Sequence, residues 1–229
     1  MAGKTAYLVN KIVDWFRRAQ VFSPPANVYL ALLCSTRGPR QSAAVYAVND
    51  TFSVTAGDGR THLYRVTAQT GATAASQPAG YTGAEGENVT DGGVTAVEQG
   101  AQLDQGLSML EPNWGTGATL YTRPGVASAL ANWSGTQGAG TTTVSTGTGS
   151  SGTSSNNTQV NFSSGGTNAT VPSGGGAGPW YVWGVAEMDA ASAGNALYWG
   201  PLPAGQVKTI NQGDPIPYVA AGAWQVVES

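Results

Sequence analysis

Two carboxylate pairs, Glu85 with Glu87 and Glu187 with Asp189, stand at a spacing that acid–base chemistry could use. Side chains two apart on a strand share a face, and cleaving a glycosidic bond takes one carboxyl as acid and another as base or nucleophile. The first pair falls in a loop. The second falls at a strand end beside a turn, where a carboxylate commonly caps the backbone without catalytic duty. His62 is the single histidine, so a His-based metal site or a Ser-His-Asp relay has little support. It reads as a strand or surface residue. Cys34, the single cysteine, lies in an apolar run and reads as a buried, inert thiol. One cysteine excludes an internal disulfide framework and a Cys-based zinc site. Gly147-Thr148-Gly149-Ser150-Ser151-Gly152 spells G-x-G-x-x-G, but it neither follows a strand nor opens a helix, so the match is fortuitous in a glycine-rich tract. These residues predict no catalytic centre, no cofactor and no metal ion.

The second carboxylate pair belongs to Trp180–Leu202, WYVWGVAEMDAASAGNALYWGPL, around which the chain is organised. It reads as strands Trp180–Glu187 and Ala196–Trp199 joined by a small, polar link, Asp189–Asn195. Aromatic and β-branched residues suit a pleated surface. They fall on both faces here, so the hairpin must be covered on both sides, with Trp183 and Trp199 in the core. Upstream, Ala6–Gln20 is the convincing helix, with Leu8, Ile12, Trp15 and Phe16 recurring on one face and expected to pack against the body. Thr5 is its N-cap, and Arg17 and Arg18 fall in the last turn, where the helix dipole favours cations. Four of the ten basic residues precede residue 19. They read as a solvated face or as a contact, through Arg17 and Arg18, with an acidic neighbouring subunit. After Pro24-Pro25, Asn27–Leu33 reads as a buried strand.

From Ala43 the texture changes. Val45–Val48, Thr51–Val54 and His62–Thr67 read as short strands, with Gly57-Asp58-Gly59 as a turn. Gly71–Gly86 is loop-like, and Asn88–Val97 reads as a glycine-centred hairpin. Beyond this module, Thr119–Val126, Ala129–Trp133, Thr158–Phe162, Val207–Asn211 and Ala223–Val227 are strand-like. Gly135–Asn157 is low-complexity Gly/Ser/Thr, read as an extended arm lying on a partner, with Thr141, Thr142 and Thr143 as candidate contacts. The organisation expected is 1–42 (helix and first strand of the body), 43–110 (inserted β module) and 111–229 (remainder of the body). The fold class is mainly β: a jelly-roll-like sandwich with an N-terminal amphipathic helix and a small inserted β domain.

Charged residues make up 10% of the 229 residues, against a usual share of about 25%. With 33 glycines, the composition suits a turn-rich β protein rather than a charged, disordered tail. A net charge of −3 with no basic run argues against nucleic acid as a partner. No stretch approaches the roughly 20 apolar residues of a membrane span, and the polar N-terminus does not read as a signal peptide. A soluble chain made in a cytoplasm is expected.

KTAYLVNKIVDWFRRAQVFSPPANVYLALL resembles the opening of a family of tailed-bacteriophage virion structural proteins, which begin with an amphipathic helix, a Pro-Pro and a V/L-Y-V-A-L strand. ANWSGTQGAGTTT, VWGVAEMDAASAGNALYWGPL and VKTINQGDPIPYVAAGAWQV resemble the rest of that family in the same order, so the likeness covers roughly residues 4–36 and 115–227. The sequence departs from it between about Ala43 and Asn113. There, LYRVTAQTGATAASQPAGYTGAEGENVTDGGVTAV resembles a second phage module, found as an appendage on virion surface proteins, with Ala96-Val97 where that module usually ends in Trp. The resemblance implies a capsid cement (decoration) protein on the outer surface of the particle. Its partners would be the major capsid protein and copies of itself. It would be assembled in the host cytoplasm, and no enzymatic activity and no nucleic-acid or membrane partner are expected. The alternative is a tail fibre or tail-tip component whose insert binds a host-surface glycan through Tyr46, Tyr64 and Tyr81. A polysaccharide-degrading enzyme acting through Glu187 is a third reading.

Overall fold

The computed structural model describes residues 3–99, 110–112, 121–135, 153–163, 169–171, 179–203 and 205–227. In chain order the elements are β1 (Gly3–Lys4), α1 (Ala6–Arg18), β2 (Asn27–Ser35), β3 (Thr51–Thr55), β4 (Thr61–Gln69), β5 (Asn88–Asp91), β6 (Val94–Glu98) and β7 (Gly125–Ala127). There follow β8 (Trp133–Ser134), β9 (Thr153–Asn156), β10 (Val160–Asn161), β11 (Trp180–Met188), β12 (Ala196–Pro201), β13 (Lys208–Ile210), β14 (Tyr218–Val219) and β15 (Gln225–Val227). The protein is mainly β, with several antiparallel sheets arranged as a sandwich and an N-terminal helix.

β11 is the hub. It pairs along one edge with β2, and along the other with β13 over Trp180–Val182 and with β12 over Gly184–Met188. β1 and β7 complete the sheet in the order β1-β12-β11-β2-β7. Period-2 alternation sends Leu30, Leu32 and Cys34 of β2 into one core, with Val182, Phe162, Ile210, Ile216 and Trp224. Ala31 and Leu33 enter a second core with Trp183, Ala186, Met188 and Ala196. Both faces of β2 and β11 are therefore covered, as their near-continuous apolar sequences require. Trp183 is fully buried and Trp199 packs at the edge of the same core, the two rings 6.1 Å apart.

The segment 43–98 carries a four-stranded antiparallel sheet, β3-β4-β6-β5, over its own core of Tyr46, Phe52, Val54, Tyr64, Val66, Tyr81, Val89, Val94 and Ala96. The β5–β6 turn needs glycine twice. Gly92 has φ +62°, and a Cβ on Gly93 would lie 2.5 Å from Gly71 backbone atoms. Leu63 of β4 points out of this module into the second core of the body. Residues before 43 also engage the module, since Arg40 N–H donates to Ser53 O and Arg37 N–H to Thr51 O. Val45–Val48 is not a strand. Asn49 has φ 75°, and Asp50 caps the segment as a turn through Ala47 N–H, leaving Val45 and Val48 exposed.

α1 begins where Thr5 Oγ1 accepts the Leu8 N–H, and it ends at Ala19 in the left-handed region. The Thr5 hydroxyl also donates to Ala196 O, and Thr5 N–H to Leu197 O, tying the helix start to β12. Leu8 is buried and Ile12 is half-buried. Trp15 and Phe16 are not core residues. They stand 52% and 73% exposed, because the body meets the helix near its N-terminal turn and the later turns lie beyond that contact. Of the Gly135–Asn157 arm, residues 136–152, with Thr141, Thr142 and Thr143, lie outside the described residues. Its end is β9, an internal strand between β15 and β8 with Ser155 and Asn156 buried.

Candidate functional site

The two carboxylates of the hairpin do not form an acid–base pair. β11 stops at Met188 after a register break between Glu187 and Met188, so the shared-face rule fails at that point. Glu187 is buried and accepts a 3.1 Å hydrogen bond from Trp224 Nε1–H, while Asp189 is held in the turn by Asn195 N–H and Nδ2–H at 2.7 and 2.9 Å. Burial raises the Glu187 carboxyl to about 7, against a smaller opposing effect of the Trp224 bond. In the other pair, Glu85 is exposed, and Glu87 accepts from Tyr64, the Thr82 hydroxyl and the N–H groups of Thr82 and Gly83. Burial alone would raise Glu87, but these donors outweigh it and hold the group below the ordinary glutamate value.

His62 is clamped between carboxylates on both ring nitrogens, Glu98 at 3.2 Å on Nδ1 and Asp58 at 3.1 Å on Nε2. The Glu98 bond, opposed by burial and joined by Asp58, raises its pKa. Gly83 closes this pocket, since a Cβ there would lie 2.7 Å from His62 Nε2. Cys34 is buried, which pushes the thiol well above its usual range, with Glu111 adding to the effect. Among the described residues no group of three or more His, Cys, Asp or Glu is placed to hold a metal ion.

Tyr46, Tyr64 and Tyr81 are buried in the module core and present no ring to a glycan. Period-2 alternation along β4, which also turns Val66 inward, is the signal that assigns Tyr64 to this core. Their hydroxyls serve the interior. Tyr81 donates to Asp91 at 2.9 Å, and Tyr46 accepts from Gln41 N–H at 2.8 Å. Asp91 also receives Arg40 through Nε at 2.5 Å and Nη2 at 2.8 Å, a buried bidentate pair. A second clamp joins Glu111 to Arg123 Nη2 at 2.5 Å and Tyr121 Oη at 2.6 Å, and Arg123 Nη1 caps Ala190 O and Ala193 O beneath the hairpin turn. Arg40 reaches Asp91 across 51 positions and Arg123 reaches Ala190 across 67, and no local motif marks either clamp.

Among the described residues, Glu87, Asp91, Glu111, Glu187 and His62 thus spend their bonds inside the protein. The surface feature that stands apart is α1, where Arg17 and Arg18 are exposed and Arg18 pairs with Asp14 at 3.2 Å. Val9, Val13, Trp15 and Phe16 of the same helix are exposed as well. No family model and no curated protein matches this chain.

Proposed function

We propose that the chain is a structural component of a tailed-bacteriophage particle, a cement protein on the outer shell that bridges and stabilises neighbouring capsid subunits. The observation that carries this reading is the contrast between a body whose Glu187, His62, Arg40 and Asp91 are internally bonded and a helix that leaves Val9, Val13, Trp15 and Phe16 exposed. A protein that works by contact area needs a rigid body and an unsatisfied surface, and it needs no reactive centre. Binding only the assembled shell shifts the shell's stability by mass action, and its contacts add to the area that specific interfaces require. The likeness of the helix–Pro-Pro opening and of NALYWGPL to phage virion proteins supports the same reading. The proposed partners are the major capsid protein and further copies of this chain, at the particle surface after assembly in the host cytoplasm.

A tail location with a glycan-binding insert is the weaker reading, because Tyr46, Tyr64 and Tyr81 cannot supply its stacking platform. The test is stoichiometry. Purified particles are digested, and this chain is quantified by mass spectrometry against the major capsid protein. Abundance of the same order as the shell protein supports a cement protein. A handful of copies per particle overturns the shell assignment in favour of the tail, and absence from particles overturns both.

A further inference from the structure

We infer that α1 docks into an apolar groove with an acidic rim on another protein subunit, through the stripe Val9–Val13–Phe16 with Trp15 beside it. This rests on the reading of the chain as part of a protein assembly and names the surface that makes the contact. Val9, Val13 and Phe16 follow the i, i+4, i+7 spacing by which a helix seats in a groove, and they are 41%, 49% and 73% exposed. The Trp15 ring packs against Phe16 with centroids 4.6 Å apart, so the two form one large apolar knob at the helix end. Their exposure follows from how the helix is anchored. Thr5 and Leu8 bind the body at the first turn, and the later turns are left outside.

Charge selects the occupant. At about 100° per residue, Lys11 and Arg18 border Trp15 on one margin of the apolar arc, and Arg17 borders Val13 on the other. The helix's one acid, Asp14, is already paired with Arg18. Two copies of α1 laid face to face would set cations against cations, which disfavours self-pairing. One 13-residue helix also falls short of the ~800 Å² per partner of a standard stable interface, so the stripe is one element of a larger contact. A flat lipid surface fits less well, although basic amphipathic helices do bind membranes. Leu8 is buried and Ile12 half-buried, so the free apolar stripe is narrow, and membrane binding scales with the apolar area buried. A groove can enclose a narrow ridge. Carboxylates along its rim complete the match to Lys11, Arg17 and Arg18.

The experiment uses the full-length chain and purified particles assembled without it. Three proteins are compared: wild type, V13S/F16S and R17E/R18E. All the substituted positions are exposed, and matching thermal melts verify folding. The expected result is saturable wild-type binding, weakened on the order of a hundredfold in V13S/F16S, as for loss of central anchors. R17E/R18E binds more weakly at low salt, and the deficit narrows as salt rises. Wild-type affinity in both variants would overturn this inference and leave the cement reading standing. Failure of the wild type itself to bind particles would overturn both. Two controls complete the set. A dimer in sedimentation that V13S/F16S dissociates would make a second copy the occupant. Co-sedimentation with phosphatidylserine-containing vesicles, lost in V13S/F16S, would make it lipid. Either result overturns the proposal.

Discussion

Replacing Glu187 by Gln should make the protein more stable at neutral pH and flatten its pH dependence. The carboxyl belongs to a buried residue paired with Leu30 across the sheet, with Trp224 Nε1–H as its donor, and it is raised from 4.5 to about 7. Because the folded-state value lies above the unfolded one, the native state holds more protons between them. The stabilising contribution is fully present below about pH 4.5 and is lost as pH rises through about 7. At 1.36 kcal/mol per pH unit, the loss amounts to ~3 kcal/mol by slightly alkaline pH. A neutral glutamine keeps an acceptor for Trp224 and carries no charge to desolvate. Burying its extra amide donors without a partner costs about 1 kcal/mol, so the net gain near pH 8 should be about 2 kcal/mol. Urea denaturation of wild type and E187Q at a series of pH values measures the difference directly, and the other titrating groups, common to both, cancel. Curves that stay parallel from acid to alkaline pH would show that Glu187 is not held protonated by its surroundings.

His62 follows the same linkage. Its pKa is raised by Glu98 and then Asp58, so its contribution is present below about 6.5 and fades as pH climbs through the higher folded value. In urea titrations H62Q should fall further below wild type at pH 5.5 than at pH 8.5. Arg40→Ala strands Asp91, whose side chain is wholly buried, and should cost about 3–5 kcal/mol in chemical denaturation. Trp15→Ser should shift stability by no more than about 0.5 kcal/mol, whereas Trp183→Ala should cost about 3–5 kcal/mol; calorimetry of the pair checks which tryptophan belongs to the core.

The helix, its Thr5 cap and the aromatic hairpin are legible in the sequence because local signals determine them: an N-cap followed by 3.6-residue periodicity, and two aromatic strands around a polar turn. The two-sided burial of β2 and β11 follows from apolar residues at odd and even positions alike. Trp15 and Phe16 mislead for a definite reason. Amphipathicity says that a face seeks cover, and it does not say which molecule covers it. Tyr81 lies in the loop-like stretch Gly71–Gly86 and Tyr46 in Val45–Val48, which reads as a strand but is a turn, and only their partners reveal them as interior. Arg40 and Asp91 are 51 positions apart, so periodicity cannot bring them together. The pairing of Glu187 with Asp189 fails because a bulge interrupts the alternation that would have aligned them.

Leu63 changes how the inserted segment should be regarded. It is a plug driven from the module into the chamber that holds Trp183, Ala186 and Met188. Cutting the segment out would therefore unroof a tryptophan-lined cavity in the remaining chain. The two parts should melt as one calorimetric unit, and any replacement cassette grafted at this place must bring a stopper of comparable volume.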